Sequence, residues 1–74
     1  MIQNKMIINK RVLEELVGEY IAAMYLLDED DNKIAPIKPD FDSKIYTLDR
    51  SANYFILGAK HNFRIEKGVI VWKI

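Results

Sequence analysis

The 74-residue sequence contains no cysteine, which excludes disulfides, thiolate metal sites and cysteine nucleophiles in one step. It has a single histidine, His61, so no second imidazole exists to share a metal ion. Three scattered glycines, Gly18, Gly58 and Gly68, cannot form a glycine-rich phosphate cradle. Charge of either sign is not in excess: eleven basic and eleven acidic residues cancel, so the whole chain points neither to nucleic acid nor to an anionic membrane. Long apolar runs are missing too. The longest mostly apolar stretch is Tyr20 to Leu27, against the roughly 20 residues needed to cross a bilayer. Residues 1–9 carry Lys5 but no long apolar segment or small-residue cleavage site, so they do not read as a signal peptide. The expectation is one cytoplasmic domain spanning residues 1–74, with no cofactor, no metal and no membrane contact.

What is present is a globular balance of 50% hydrophobic and 30% charged residues, far from the composition of disordered chains. A chain this short hides only about 60% of its unfolded surface. One core of that size, without disulfides or metal, supplies roughly 3–5 kcal/mol, which leaves room for a partner or a homo-oligomer to add stability. Residues 1–37 hold four basic and seven acidic groups, and residues 38–74 hold seven basic and four acidic, so the two halves have opposite sign.

From Lys10 onward, Leu13, Leu16, Val17, Tyr20, Ile21, Met24 and Leu27 recur at spacings of three and four. That periodicity predicts an amphipathic helix over 10–27. Asn9 suits its N-cap, and Glu14 and Glu15 suit the positive end of its dipole. Gly18 would then lie mid-helix at a cost of about 1 kcal/mol, a sign of close approach by another backbone. Residues 28–43 combine an acidic run with two prolines and read as a long loop. After Ser43 the period becomes two. Lys44–Asp49, Tyr54–Lys60, Phe63–Glu66 and Val69–Ile74 predict strands, separated by turns at 50–53, His61-Asn62 and Lys67-Gly68. Asn62 and Gly68 suit the positive φ of tight hairpins. Lys5–Ile8 fits either a short N-terminal strand or an extension of the helix, since periodicity over so few residues does not decide; the strand is the reading preferred. The fold class is therefore α+β: one amphipathic helix packed on a C-terminal antiparallel β-meander of three to four strands.

Alternation assigns Phe55, Leu57, Ala59, Phe63, Ile65, Ile70, Trp72 and Ile74 to the helix side of that meander. The outer side then carries Tyr54, Ile56, Lys60, Arg64, Glu66, Val69, Val71 and Lys73, a mixture too apolar for a purely solvated face. The late helix also has a second apolar face at Ala22, Tyr25 and Leu26. These two groups are the candidate interface: Tyr54, Ile56, Arg64, Val69 and Val71 on the sheet, or Ala22, Tyr25 and Leu26 on the helix. The function expected is a non-enzymatic protein-binding module acting on a protein partner or a second copy. It would be a small regulator, inhibitor or assembly factor, with a size and a lysine- and isoleucine-rich composition that fit a viral or mobile-element origin.

Other constellations are weaker. Asp28, Asp30 and Asn32 match the first ligand positions of a calcium loop, but Lys33 stands where the sharp turn needs glycine and Pro39 where a bidentate glutamate is needed. His61 sits in a turn, and the hydroxyls Thr47 and Ser51 carry no catalytic signature, so no enzyme activity is expected. Lys44, Arg50, Lys60, Arg64, Lys67 and Lys73 interleave with Tyr46, Tyr54, Phe55, Phe63 and Trp72, which makes nucleic-acid binding an alternative. The succession of helix, long loop and meander, ending in Gly68-Val69-Ile70-Val71-Trp72, resembles the globular end of a type IV pilin. That resemblance implies a structural subunit of an extracellular fibre. The sequence departs from the family in having neither its cysteine pair nor its N-terminal apolar segment.

Overall fold

The computed structural model describes residues 4–71. Strand β1 (Lys5–Asn9) runs directly into helix α1 (Lys10–Val17). Asn9 ends the strand and caps the helix, its Oδ1 accepting the N–H groups of Arg11 at 2.9 Å and Val12 at 3.4 Å. Such a cap satisfies donors that the first helical turn otherwise leaves unpaired. Leu13 and Val17 face inward, while Val12 and Leu16 are exposed.

The helix is much shorter than the periodicity predicts, and Gly18 is the reason. It has φ +76° and its N–H donates to the Glu14 carbonyl at 2.9 Å, a left-handed C-terminal cap that glycine adopts without steric cost. Gly18 therefore ends α1. Glu14 secures the exit: its Oε2 accepts the Lys10 ammonium at 2.7 Å and the Ile21 N–H at 2.9 Å.

Beyond this cap the chain enters a strand, β2 (Ile21–Leu27). Ile21 and Met24, three residues apart, both reach the core, although a regular strand would bury every second residue. The register against its neighbour shifts between Ile21 and Ala23, so Ala22 is an extra residue and the alternation restarts after it. A bulged strand thus imitates helical spacing. Leu26 packs against the core from the same strand.

The predicted loop at 28–43 contains a further strand, β3 (Lys33–Ile37). It lies at the sheet edge with Pro36 opposite Tyr25, the position where a missing N–H is tolerated. The remaining strands are β4 (Ile45–Asp49), β5 (Asn53–Gly58), β6 (Asn62–Glu66) and β7 (Val69–Val71). They do not form one meander. β4 pairs antiparallel with β1 in a two-stranded sheet, and the others form a five-stranded antiparallel sheet in the order β3-β2-β5-β6-β7. The α+β class holds, with a larger sheet and a shorter, N-terminal helix.

The core lies between these layers. Leu13 and Val17 of α1 and Tyr46 and Leu48 of β4 meet Ile21, Met24, Tyr54, Ile56, Phe63 and Ile65 of the large sheet. Dimensions of 37 × 32 × 19 Å suit two layers separated by one thickness of side chains. Among the described residues no helix is long and apolar enough to cross a membrane. Of the succession that carries the pilin resemblance, the helix is short, α1 ending at Val17, and the long loop holds strand β3.

The face assignment is right for β6 and inverted for β5. Tyr54 pairs with Ile65 and Ile56 with Phe63, so all four face the core, while Phe55 and Leu57 point outward. Tyr54 to Leu57 is apolar at every position, so alternation alone does not choose the buried face; pairing across the β5–β6 turn does. That turn closes through Gly58 N–H on the His61 carbonyl at 3.0 Å, with Leu57 opposite Asn62, so Asn62 belongs to a strand and Ala59-Lys60 form the bend. The bend thus lies two residues earlier than predicted, a shift that by itself keeps each side chain on its face. The β6–β7 turn is as predicted: Lys67 and Gly68 have φ 48° and 84°, the pattern of a two-residue type I′ hairpin. The placements expected of Trp72, Lys73 and Ile74 lie outside the described residues.

Candidate functional site

The outer face of the five-stranded sheet carries one continuous row. Register places Pro36 opposite Tyr25, Tyr25 opposite Phe55, Phe55 opposite Arg64, and Arg64 opposite Val71. Residues directly opposed on antiparallel strands have adjacent side chains, so the row crosses all five strands. Its side chains lie on the far side from α1, β1 and β4, which join the core cluster through the inner face. Leu57, 37% exposed, and Val69, 63% exposed, flank it.

Charge on this face is fixed by local pairing. The Lys33 ammonium stands 4.4 Å from the Phe55 ring centre and 5.2 Å from that of Tyr25, within range of cation–π attraction. Arg64 bonds Asp31 through Nη2 at 2.8 Å and Glu66 through Nε at 2.9 Å. The Asp31 bond raises the Arg64 pKa further, and the same bond holds the Asp31 carboxyl below its ordinary range. Asp31 reaches Arg64 because its backbone turns left-handed, φ 64°, within a turn that the Asp28 side chain organises.

The structure brings together part of the candidate interface. Tyr25, Arg64, Val69 and Val71 share the outer face. Tyr54 and Ile56 do not: they are 4% and 0% exposed, and the Tyr54 hydroxyl accepts the Asp49 N–H at 2.8 Å. Leu26 faces the core, and Ala22 is exposed at the bulge. Phe55, Leu57 and Lys33 belong to the face and were not among the expected residues. Pairing of Tyr54 with Ile65 and of Ile56 with Phe63 identifies Phe55 and Leu57 as outward, whereas the Lys33 contact has no local signal because it depends on β3.

The other singled-out groups serve the fold. Asp28 Oδ1 accepts the N–H groups of Asp30 at 2.9 Å and Asn32 at 2.8 Å, so the run resembling a calcium loop is a side-chain-closed turn. Among the described residues no group of three or more acidic or histidine side chains could hold a metal. Glu19 binds the bend at 59–61: Oε1 accepts the N–H groups of Lys60 and His61, and Oε2 meets His61 Nδ1. Ser51 Oγ donates to Asp49 Oδ1 at 2.6 Å. No protein family, curated protein or solved structure matches the chain.

Proposed function

We propose that the chain is a non-enzymatic protein-binding module, a small regulator, inhibitor or assembly factor, that docks a protein partner or a second copy on the outer face of its large sheet. The observation supporting this is the row Tyr25, Phe55, Arg64 and Val71, joined strand to strand. Aromatic residues and arginine are the types enriched at interface centres. Arg64 is held by Asp31 and Glu66, so little of its rotamer freedom remains to be lost on docking.

The same geometry weighs against nucleic acid as the partner of this face. Base stacking needs open ring faces and unpaired cations, while Lys33 lies over both rings and Arg64 is neutralised by two carboxylates. The test is affinity capture with the native chain and with a Tyr25→Ser/Phe55→Ser variant, each after nuclease digestion. The expected result is a protein retained by the native chain and lost by the folded variant. Equal retention by both, or loss on nuclease treatment, contradicts the proposal.

A further inference from the structure

A second place on the molecule has its own ligand chemistry. Pairing of β3 with β2 begins at Met24, opposite Ile37, and runs toward Leu27. At Lys38 and Pro39 the chain has left the sheet. Among the described residues no strand therefore neighbours Ile21, Ala22 and Ala23 on the side away from β5. The gap opens into a cleft of about 290 Å³ lined by Tyr20, Ile37 and Tyr46 together with Ala22 and Ala23. The two alanines leave room for incoming side chains.

The charge around the cleft is one-sided. An adjoining depression shares Lys10, Tyr20 and Pro39 with it and adds Arg11 and Lys44. With Lys38 this gives four cations against one lining carboxylate, Glu14, which already bridges Lys10 and the Ile21 N–H. Arg11 has Glu15 at 3.7 Å. Lys38 and Lys44 have no ion-pair partner among the described residues, Lys44 resting 5.3 Å from the Phe41 ring centre. The nearby Asp40 carboxylate accepts the N–H groups of Asp42 and Ser43.

We infer that this cleft binds a short extended segment of a partner protein that carries carboxylates. The segment continues the line of β3, its backbone pairing with the edge at Ala22–Ala23, beside the Ile21 N–H that Glu14 already holds, and its carboxylates meeting Lys38 and Lys44. Adding a strand to a free edge gives affinity through the main chain and specificity through alternate side chains. Opposed charge adds selectivity and speed of association. Glu14 shows the recognition already at work inside the chain, one carboxylate held between a lysine and a β2 amide. The outer edge of β3 does not compete for such a segment, because Pro36 and Lys33 blunt it. This inference goes beyond the outer-face proposal and stands or falls separately from it.

The probe is a capped, fluorescent heptapeptide alternating glutamate and valine. It is compared with a lysine–valine counterpart and with the same acidic peptide N-methylated at alternate amides. Anisotropy with the full chain should show saturable binding of the acidic peptide alone. Binding should weaken at least tenfold on N-methylation, and at least tenfold with Lys38→Glu/Lys44→Glu, whose exposed positions leave the circular dichroism spectrum unchanged. Amide shifts should centre on Ala22 and Ala23. Equal binding of the lysine–valine peptide, indifference to N-methylation, or no binding at about 1 mM overturns the inference and leaves the outer face untouched. Shifts centred on Phe55 and Arg64 overturn it in favour of the outer face.

Discussion

Replacing Gly58 with alanine puts a methyl group where none fits. A Cβ at this position falls 2.5 Å from the His61 carbonyl oxygen, 3.1 Å from Glu19 Oε1 and 3.2 Å from Phe63 Cε2. The first of these is backbone and accepts the Gly58 N–H, so relieving the clash means opening the turn. The second is held by the N–H groups of Lys60 and His61 and cannot swing away without releasing them. Overpacking of this kind costs about 1–3 kcal/mol, out of the roughly 3–5 kcal/mol usual for a core this small. Each kcal/mol lowers Tm by about 4–8 °C in a domain of this length. Gly18 is the control, because a Cβ there meets nothing within 4 Å while φ is +76°. Gly18→Ala should therefore cost only the left-handed backbone penalty of about 1–2 kcal/mol, and Gly18→Asn should recover part of it. Urea titration monitored by far-ultraviolet circular dichroism measures all three. A glycine with room to spare gains about 0.4–1 kcal/mol on becoming alanine. Gly58→Ala at or above native stability would refute the described turn and the β5 register that depends on it.

Packing and charge give three further outcomes. Ile56→Ala should cost about 2–5 kcal/mol as a cavity in the core, against about 1 kcal/mol for Phe55→Ser, which loses its outer-face contacts with Tyr25, Arg64 and Lys33; the reverse order in denaturant melts would restore the alternation read from sequence. Asn9→Ala should cost about 1 kcal/mol through loss of the α1 cap, measured in the same titration. Several carboxyl pKa values are lowered by folding: Glu14 by the Lys10 bond, Asp28 by the Asn32 N–H, Asp40 by the Ser43 N–H, and Glu19, against the opposing effect of desolvation, by His61 and two N–H groups. Their stabilisation is present above the ordinary carboxyl range and is lost as pH falls through the lowered values. Tm should thus drop steadily below about pH 4.5, and less steeply in Glu19→Gln; a Tm that is flat there would contradict the pairing described.

The local sequence pattern shows β6, the Lys67-Gly68 turn and the Asn9 cap, because each depends on residues within one or two turns of chain; it leaves β1 open between a strand and an extension of the helix. It misreads Ile21–Leu27, since a bulge at Ala22 gives a strand the three-residue spacing of a helix. The glycine that ends α1 is visible, but its left-handed φ is not. β3 is hidden because Pro36 and the acidic turn before it resemble a loop, and an edge strand alone tolerates that proline. The inverted face of β5 and the misplaced Tyr54 and Ile56 have one origin: Tyr54 to Leu57 is apolar at every position, so either alternate set could be buried, and only the pairing with β6 decides. Arg64, Val69 and Val71 stay on the outer face because the β6–β7 turn is short and its chemistry is local. The approach of Lys33 to Phe55 and of Asp31 to Arg64 spans more than 20 residues in each case and has no local sequence signal.

If the outer sheet face, with Phe55 near its middle, meets a protein, then a probe placed there must touch it. Incorporating a photo-crosslinking amino acid at position 55, and separately at exposed Thr47 on the opposite layer, tests this in the cell that makes the chain. The expected result is a covalent adduct with a protein, or with a second copy, from position 55 and none from position 47. An adduct from position 47 with none from position 55 would contradict the proposed interface.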